Sequence, residues 1–121
     1  MKKIMIVEDS ALMIAVISNF IKKEDLGDIE IISAKNGLDA IDTYKEQKPD
    51  LTFMDIKMPV MDGITALEEI KKIDPNAKVV MCTSLKEPEQ EERAKRAGCA
   101  GYIMKPFSRQ DIKDALDKNL S

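Results

Sequence analysis

Four groups of residues in this 121-residue chain could do chemistry together: Glu8-Asp9, Asp55, Thr83-Ser84 and Lys105. Each stands directly after a short apolar run: KIMIV before Glu8, LTFM before Asp55, KVVMC before Thr83 and GYIM before Lys105. If the runs are parallel strands, three carboxylates, a hydroxyl and an ammonium project from one edge of a sheet. Carboxylates clustered in this way repel one another and take up protons unless a cation neutralises them. Mg2+ suits such a cluster, because it takes few carboxylates, keeps several waters and accepts phosphate oxygens. Glu8, Asp9 and Asp55 fit the role of ligands. A metal-screened Asp55 oxygen is then available as a nucleophile towards a phosphoryl group. Phosphoryl transfer rests mostly on positioning and on neutralising the equatorial oxygens. The metal, Lys105 and the Thr83 hydroxyl would take one oxygen each. Singly, each residue has a plainer reading: Asp9 or Ser10 as a helix cap, Asp55 as a turn residue, Thr83 or Ser84 bonded to backbone, Lys105 solvated. It is their conjunction at one edge that points to chemistry.

The elements that must position these groups follow from hydrophobic patterning. Near-continuous apolar runs at Lys3–Val7, Ile29–Ala34, Leu51–Met54, Lys78–Cys82 and Gly101–Met104 read as strands covered on both faces. Amphipathic stretches lie between them. The first carries Leu12, Met13, Val16, Ile17 and Phe20 on one stripe, which leaves Ile14 off the stripe and exposed beside the acids. The second carries Ala40, Ile41 and Tyr44. The third carries Ile64, Leu67, Ile70 and Ile73 and stops at Asp74-Pro75. The fourth, Glu89–Ala97, is mostly charged and offers only Ala94 and Ala97 for burial. The fifth carries Ile112, Ala115, Leu116 and Leu120. Five such units in series imply a parallel sheet with helices on both faces and right-handed crossovers. In open sheets of this kind the site lies beyond the carboxyl ends of the strands, where the strand order reverses. In the loop after Asp55, Met58-Pro59 stiffens the backbone and Asp62-Gly63 turns the chain into the third helix.

Composition narrows the function. The length suits one domain, and no linker, repeat or low-complexity segment divides it. A net charge of −3 gives no reason to expect nucleic acid or an anionic membrane as partner. No apolar run approaches the ~18 residues of a membrane span, and the N-terminus reads as a strand, not a signal peptide. A cytoplasmic protein is expected. There is no histidine, so histidine catalysis, histidine metal ligation and a phosphohistidine on the chain itself are excluded. Cys82 and Cys99 fit no metal spacing. They fall at opposite ends of the sheet and are expected to be free thiols.

Four motifs, IVEDS, DIKMPVMDG, CTS and GYIMKPF, occur in order, each at the end of its strand. With them the whole chain resembles the receiver domain of two-component response regulators, most nearly the stand-alone, chemotaxis-type kind. The resemblance implies a flavodoxin-like (βα)5 three-layer α/β sandwich with a parallel five-stranded sheet of order 2-1-3-4-5. It also implies one receiver domain over residues 1–121 with no output domain. By the same resemblance Asp55 is the phosphoacceptor, and Glu8 and Asp9 are the acidic pair on Mg2+. The Lys57 backbone carbonyl is a further ligand, Thr83 and Tyr102 are a switch pair, and Lys105 precedes a cis proline, Pro106. Two positions depart from the commonest pattern: glutamate stands at Glu8 where aspartate is frequent, and Ser84 stands where alanine is common. Lys57 and Leu85, two residues beyond Asp55 and Thr83, match the pair that flanks the approach of hydrolytic water. A lysine and a leucine there imply slow loss of the phosphoryl group.

The function implied is a switch rather than an enzyme acting on separate substrates. A histidine kinase or histidine phosphotransfer protein donates to Asp55, and the fourth helix, fifth strand and fifth helix then bind an output protein. A monomer is expected, with no direct contact to nucleic acid or membrane. The alternative is a receiver cut from a longer, DNA-binding regulator. A flavin-binding domain would share the fold class, but its first loop would have to cradle a phosphate, and Glu8-Asp9 repels one. A metal-dependent phosphatase would need an acid near the nucleophile, where Lys57 stands.

Overall fold

Strand patterning of period two resolves into two separate cores. The computed structural model describes residues 1–84 and 87–120. Its elements run β1 (Lys2–Val7), α1 (Ala11–Lys22), β2 (Ile29–Ala34), α2 (Gly37–Gln47), β3 (Leu51–Asp55), α3 (Gly63–Ile73), β4 (Val79–Thr83), α4 (Pro88–Arg96), β5 (Gly101–Met104) and α5 (Arg109–Leu120). All strand pairs are parallel, in the order β2-β1-β3-β4-β5. Alternate strand residues face opposite ways. Met5, Val7, Met54, Val79 and Met81 pack with α2, α3 and α4, and Ile4, Ile6, Leu51, Phe53, Val80 and Cys82 pack with α1 and α5. The flavodoxin-like sandwich expected from the sequence is therefore present, with α2, α3 and α4 on one face and α1 and α5 on the other.

Four expected strand boundaries move, each by one residue. β1 begins at Lys2, and β4 starts at Val79 and not at Lys78. Asp55 and Thr83 are the last residues of β3 and β4, not the first residues after them. Ladder pairing extends through Asp55 opposite Cys82 and Thr83 opposite Met104, so the backbone at both positions is fixed by sheet geometry. The stripe on α1 also differs. Leu12 is 75% exposed, while Ile17 and Ile21 are buried and the half-buried Ile14 packs on the same core. At ~100° per residue, Ile14, Ile17 and Ile21 share a face that Leu12 nearly opposes. Ile14 is thus a core contact and not a free surface residue.

The loop after β3 is held closely. The Gly63 N–H donates to the Ile56 carbonyl at 2.8 Å, and a Cβ on Gly63 would collide with the backbone carbonyl of Asp55. On the loop's far side the Gly37 N–H donates to the Met61 carbonyl at 3.3 Å, and a Cβ there would come within 2.8 Å of that oxygen. Between these anchors the Met61 N–H reaches back to the Pro59 carbonyl at 2.7 Å around Val60, whose φ is +71°. That is a tight three-residue turn centred on a β-branched residue in the left-handed region, a strained arrangement.

Among the described residues, Thr52 is the one fully buried strand residue facing the α2/α3 core with a hydroxyl that finds no partner. It lies between Met5 and Val79 in the ladder. A buried unsatisfied hydroxyl costs free energy that an isosteric methyl does not. Thr52→Val is expected to stabilise the fold by about 1 kcal/mol, raising the melting temperature by about 4 °C. A calorimetric scan showing an unchanged or lower melting temperature would contradict this account of Thr52.

Candidate functional site

Strand order decides where the site forms. β1 lies between β2 and β3, so the chain leaves β1 towards one edge and returns on its other side. In the ladder Val7 pairs with Met54. The next residues, Glu8 and Asp55, therefore stand side by side at the point where the order reverses. Lys105 follows β5, two strands away from β3, and its N–H donates to the Thr83 carbonyl at 2.7 Å. The peptide bond from Lys105 to Pro106 is cis.

The charged side chains converge. Lys105 Nζ lies 2.8 Å from Glu8 Oε2 and 3.4 Å from Asp55 Oδ1. Oxygens of Glu8, Asp9 and Asp55 all lie within 4.8 Å of one another, so the three acids could hold a metal ion. Glu8 is 3% exposed and Asp55 8%, whereas Asp9 is open to solvent. Burial pushes the Glu8 carboxyl above the usual range; Lys105 pulls it back and the charge of Asp55 adds to the rise. Burial likewise raises Asp55, against the opposing pull of Lys105. For Lys105, burial disfavours the ammonium, but the hydrogen bond to Glu8 and the charges of Asp55 and Glu8 outweigh it and raise its pKa. One ammonium thus serves two buried carboxylates and leaves a third beside them.

Local capping keeps these acids available. Ser10 caps α1, its Oγ accepting from the Met13 N–H at 3.2 Å, so Asp9 is not needed for that purpose. The Ser10 N–H in turn donates to Glu8 Oε1 at 3.3 Å. Asp62 caps α3, accepting from the Thr65 N–H at 2.8 Å.

Beside the acids lies a cavity of about 210 Å3 lined by Ile56, Lys57, Asp62, Thr83, Glu87, Gln90 and Tyr102. Thr83 and Tyr102 therefore line one shared space. The Tyr102 hydroxyl is buried and has no hydrogen-bond partner among the described residues. Burial, followed by the charges of Glu91 and Glu87, raises the Tyr102 phenol. The Lys57 side chain is exposed, as is Ser84. Leu85 lies outside the described residues.

α4 forms one wall of this region and is lightly anchored. Its only buried residue is Ala94, with Ala97 packed in part beyond its end. It begins at Pro88 with no side-chain cap. Its firmest tie is Arg93, whose guanidinium donates to Glu68 Oε1 at 2.7 Å, Glu68 Oε2 at 3.2 Å and Thr65 Oγ1 at 3.3 Å. Thr65 Oγ1 donates to Asp62 Oδ2 at 3.2 Å, which links α4 to the loop after β3. Sequence reasoning missed this tie and the Glu8–Lys105 pair, because both join residues of opposite charge across long separations that no local pattern marks. Both cysteines are free, Cys82 buried and Cys99 half-buried. No helix among the described residues is long and apolar enough to cross a membrane.

Comparison with known proteins agrees with this geometry. The response regulator receiver domain family matches residues 4–117. The chemotaxis protein CheY of Halobacterium salinarum is 40% identical over 121 residues, covering 99% of this chain and 98% of that protein. The CheY of Bacillus subtilis is 41% identical over 119 residues, covering 98% of each. Among solved structures, a CheX-CheY-BeF3-Mg2+ complex from Borrelia burgdorferi superposes with a TM-score of 0.89 at 28% identity, covering 99% of this chain and 90% of that one. Matched over nearly its whole length in sequence and in fold, the chain belongs to the response regulator receiver domain family.

Proposed function

We propose that the chain works as a cytoplasmic, monomeric switch controlled by phosphorylation of Asp55. The donor is a histidine kinase or histidine phosphotransfer protein, and the α4–β5–α5 face then binds an output protein. The observation that carries this reading is the Asp55 carboxylate, 3.4 Å from Lys105 Nζ, in a trio of acids whose oxygens lie within 4.8 Å of one another. Three carboxylates against one ammonium leave excess negative charge in a partly buried pocket, which a divalent cation relieves. Glu8, Asp9 and Asp55 would hold Mg2+, with the Lys57 backbone carbonyl as a further ligand. When bound, the ion would supply charge neutralisation at the phosphoryl oxygens.

The chain's own residues do the rest. An Asp55 oxygen attacks phosphorus, the bond from phosphorus to the donor imidazole nitrogen breaks, and the imidazole keeps that electron pair and takes up a proton. Lys105 turns from Glu8 and Asp55 to one phosphoryl oxygen, and the Thr83 hydroxyl donates to another. The chain acts only on its own phosphorylation and slow dephosphorylation. Attraction of Thr83 towards the phosphoryl group changes the cavity it shares with Tyr102, and Tyr102 turns into the vacated space. α4, held mainly by Ala94 and Arg93, moves in response. This is a shift between two populated states, limited by the differential affinity of the phosphoryl group for them.

Asp55→Asn should abolish labelling by acetyl phosphate in the presence of Mg2+ while the circular dichroism spectrum is retained, and chelation should do the same to the wild type. Undiminished labelling of the variant would sink the assignment. With beryllofluoride and Mg2+ bound, hydrogen exchange across Pro88–Arg96 should change; an unchanged pattern at confirmed occupancy would argue against the switch. Phosphorylated protein should decay slowly once the donor is removed. Lys57→Asn combined with Leu85→Glu, which would give water a hydrogen-bond acceptor, should speed decay roughly tenfold, ~1.4 kcal/mol off the barrier. An equal or longer half-life in the double variant would mean that these positions do not govern water.

A further inference from the structure

The C-terminal halves of α3 and α4 lie together and enclose a groove of about 500 Å3 lined by Glu68, Lys71, Lys72, Arg93, Arg96 and Ala97. Four cations therefore face one carboxylate, on a chain whose net charge is −3. Helix dipoles account for some of this, since cations are favoured in the last turn of each helix. They do not account for two such turns being brought together. A Cβ on Gly98, just past α4, would lie 3.2 Å from Lys71 Cε and 3.5 Å from its Nζ, so the end of α4 sits on the Lys71 side chain of α3. Gly98 itself has a φ of +90°. Like charges lining one groove repel, and an anion in it would relieve them.

The cations differ in how firmly they are engaged. Lys71 donates to the carbonyls of Pro75 at 2.6 Å and Ala77 at 3.2 Å, closing the turn after α3. Arg93 is held by both oxygens of Glu68 and by Thr65. These two form a fixed, positively charged floor. Lys72 makes only a solvent-exposed contact of 3.3 Å with Glu69, of a kind that contributes little. Arg96 is exposed and has no ion-pair or hydrogen-bond partner among the described residues. A preset floor with two loosely engaged cations at its rim suits several carboxylates spaced along an extended chain. The first turn of α4 is unsuited to the same ligand, because Glu87 and Glu89 are exposed there.

We propose that the α3–α4 groove docks an acidic polypeptide segment of a partner protein, with Lys72 and Arg96 reading its carboxylates. The surface lies on the α3 side of α4, separate from the α4–β5–α5 face, and its occupancy does not require phosphorylation of Asp55. Fluorescein-labelled decaglutamate, followed by anisotropy at about 50 mM salt where screening is weak, tests this directly. The wild type should bind it. Lys72→Glu with Arg96→Glu should weaken binding by roughly tenfold or more, and the charge-matched control Lys22→Glu with Lys23→Glu, at the end of α1, should change it by less than about twofold. No binding by the wild type, or equal weakening in the two double variants, would overturn the proposal. So would tighter binding of a decathymidylate that is lost in the same groove variant, since that would assign the groove to nucleic acid.

Discussion

The contact of Lys105 with Glu8 and Asp55 is the constraint around which the molecule is arranged. Two carboxylates and an ammonium are withdrawn from water at one edge of the sheet, and the residues of the closest pair, Glu8 and Lys105, are separated by 97 positions in the chain. Buried charges are tolerated only when paired, and removing one partner of such a pair typically costs about 3–5 kcal/mol. The pairing can form only if β1, β3 and β5 end level with one another. Parallel register makes them do so: Val7 sits opposite Met54, Asp55 opposite Cys82 and Thr83 opposite Met104. The hydrophobic cores on the two faces hold that register, because a one-residue slip would turn every alternate side chain from one core to the other.

Rigidity is distributed unevenly around this edge. The loop after β3 is fixed by glycines on both sides and by the cap that Asp62 provides. α4 is the opposite case. It buries a single alanine and depends on one arginine for its tie to α3. An element that moves has to be drawn from those with few buried contacts, and α4 meets that condition where α3, with Ile64, Leu67 and Ile70 buried, does not. The strained backbone at Val60 lies in the fixed loop, where the surrounding contacts overdetermine it.

Much of this was legible in the sequence because the signals were local. Apolar runs of strand length gave the five strands, and the carboxylates, hydroxyl and lysine closing four of them marked the edge where they end. Proline and glycine at Pro59 and Gly63 marked the tight loop. The misreadings have physical causes. Asp55 and Thr83 read as loop residues because they are polar, yet ladder hydrogen bonds do not depend on side-chain polarity, so the strands continue through them. Leu12 fits an apolar stripe with Met13, Val16, Ile17 and Phe20 by helical spacing, but hydrophobicity alone does not fix the phase of a short helix. Ile14, Ile17 and Ile21 do, through their contact with the sheet. The Arg93–Glu68 tie was invisible because α4 is so charged that no single pair stands out.

The two ends of the sheet differ in how much alteration they tolerate. At the carboxyl end, Gly63 leaves no room for a single extra carbon against the Asp55 carbonyl. At the amino end, the turn from α1 to β2 passes through Gly27, where an added Cβ would meet nothing within 4 Å. Gly27 has a φ of +72°, so its backbone resists direct substitution, but the exposed residues beside it, Asp25 and Asp28, carry no such restriction. A fluorophore, an affinity handle or an inserted reporter domain attached there would sit on the far side of the molecule from the acids, with the full length of the strands between them. The fold thus offers a ready point of attachment for instruments that follow the chain without touching its chemistry.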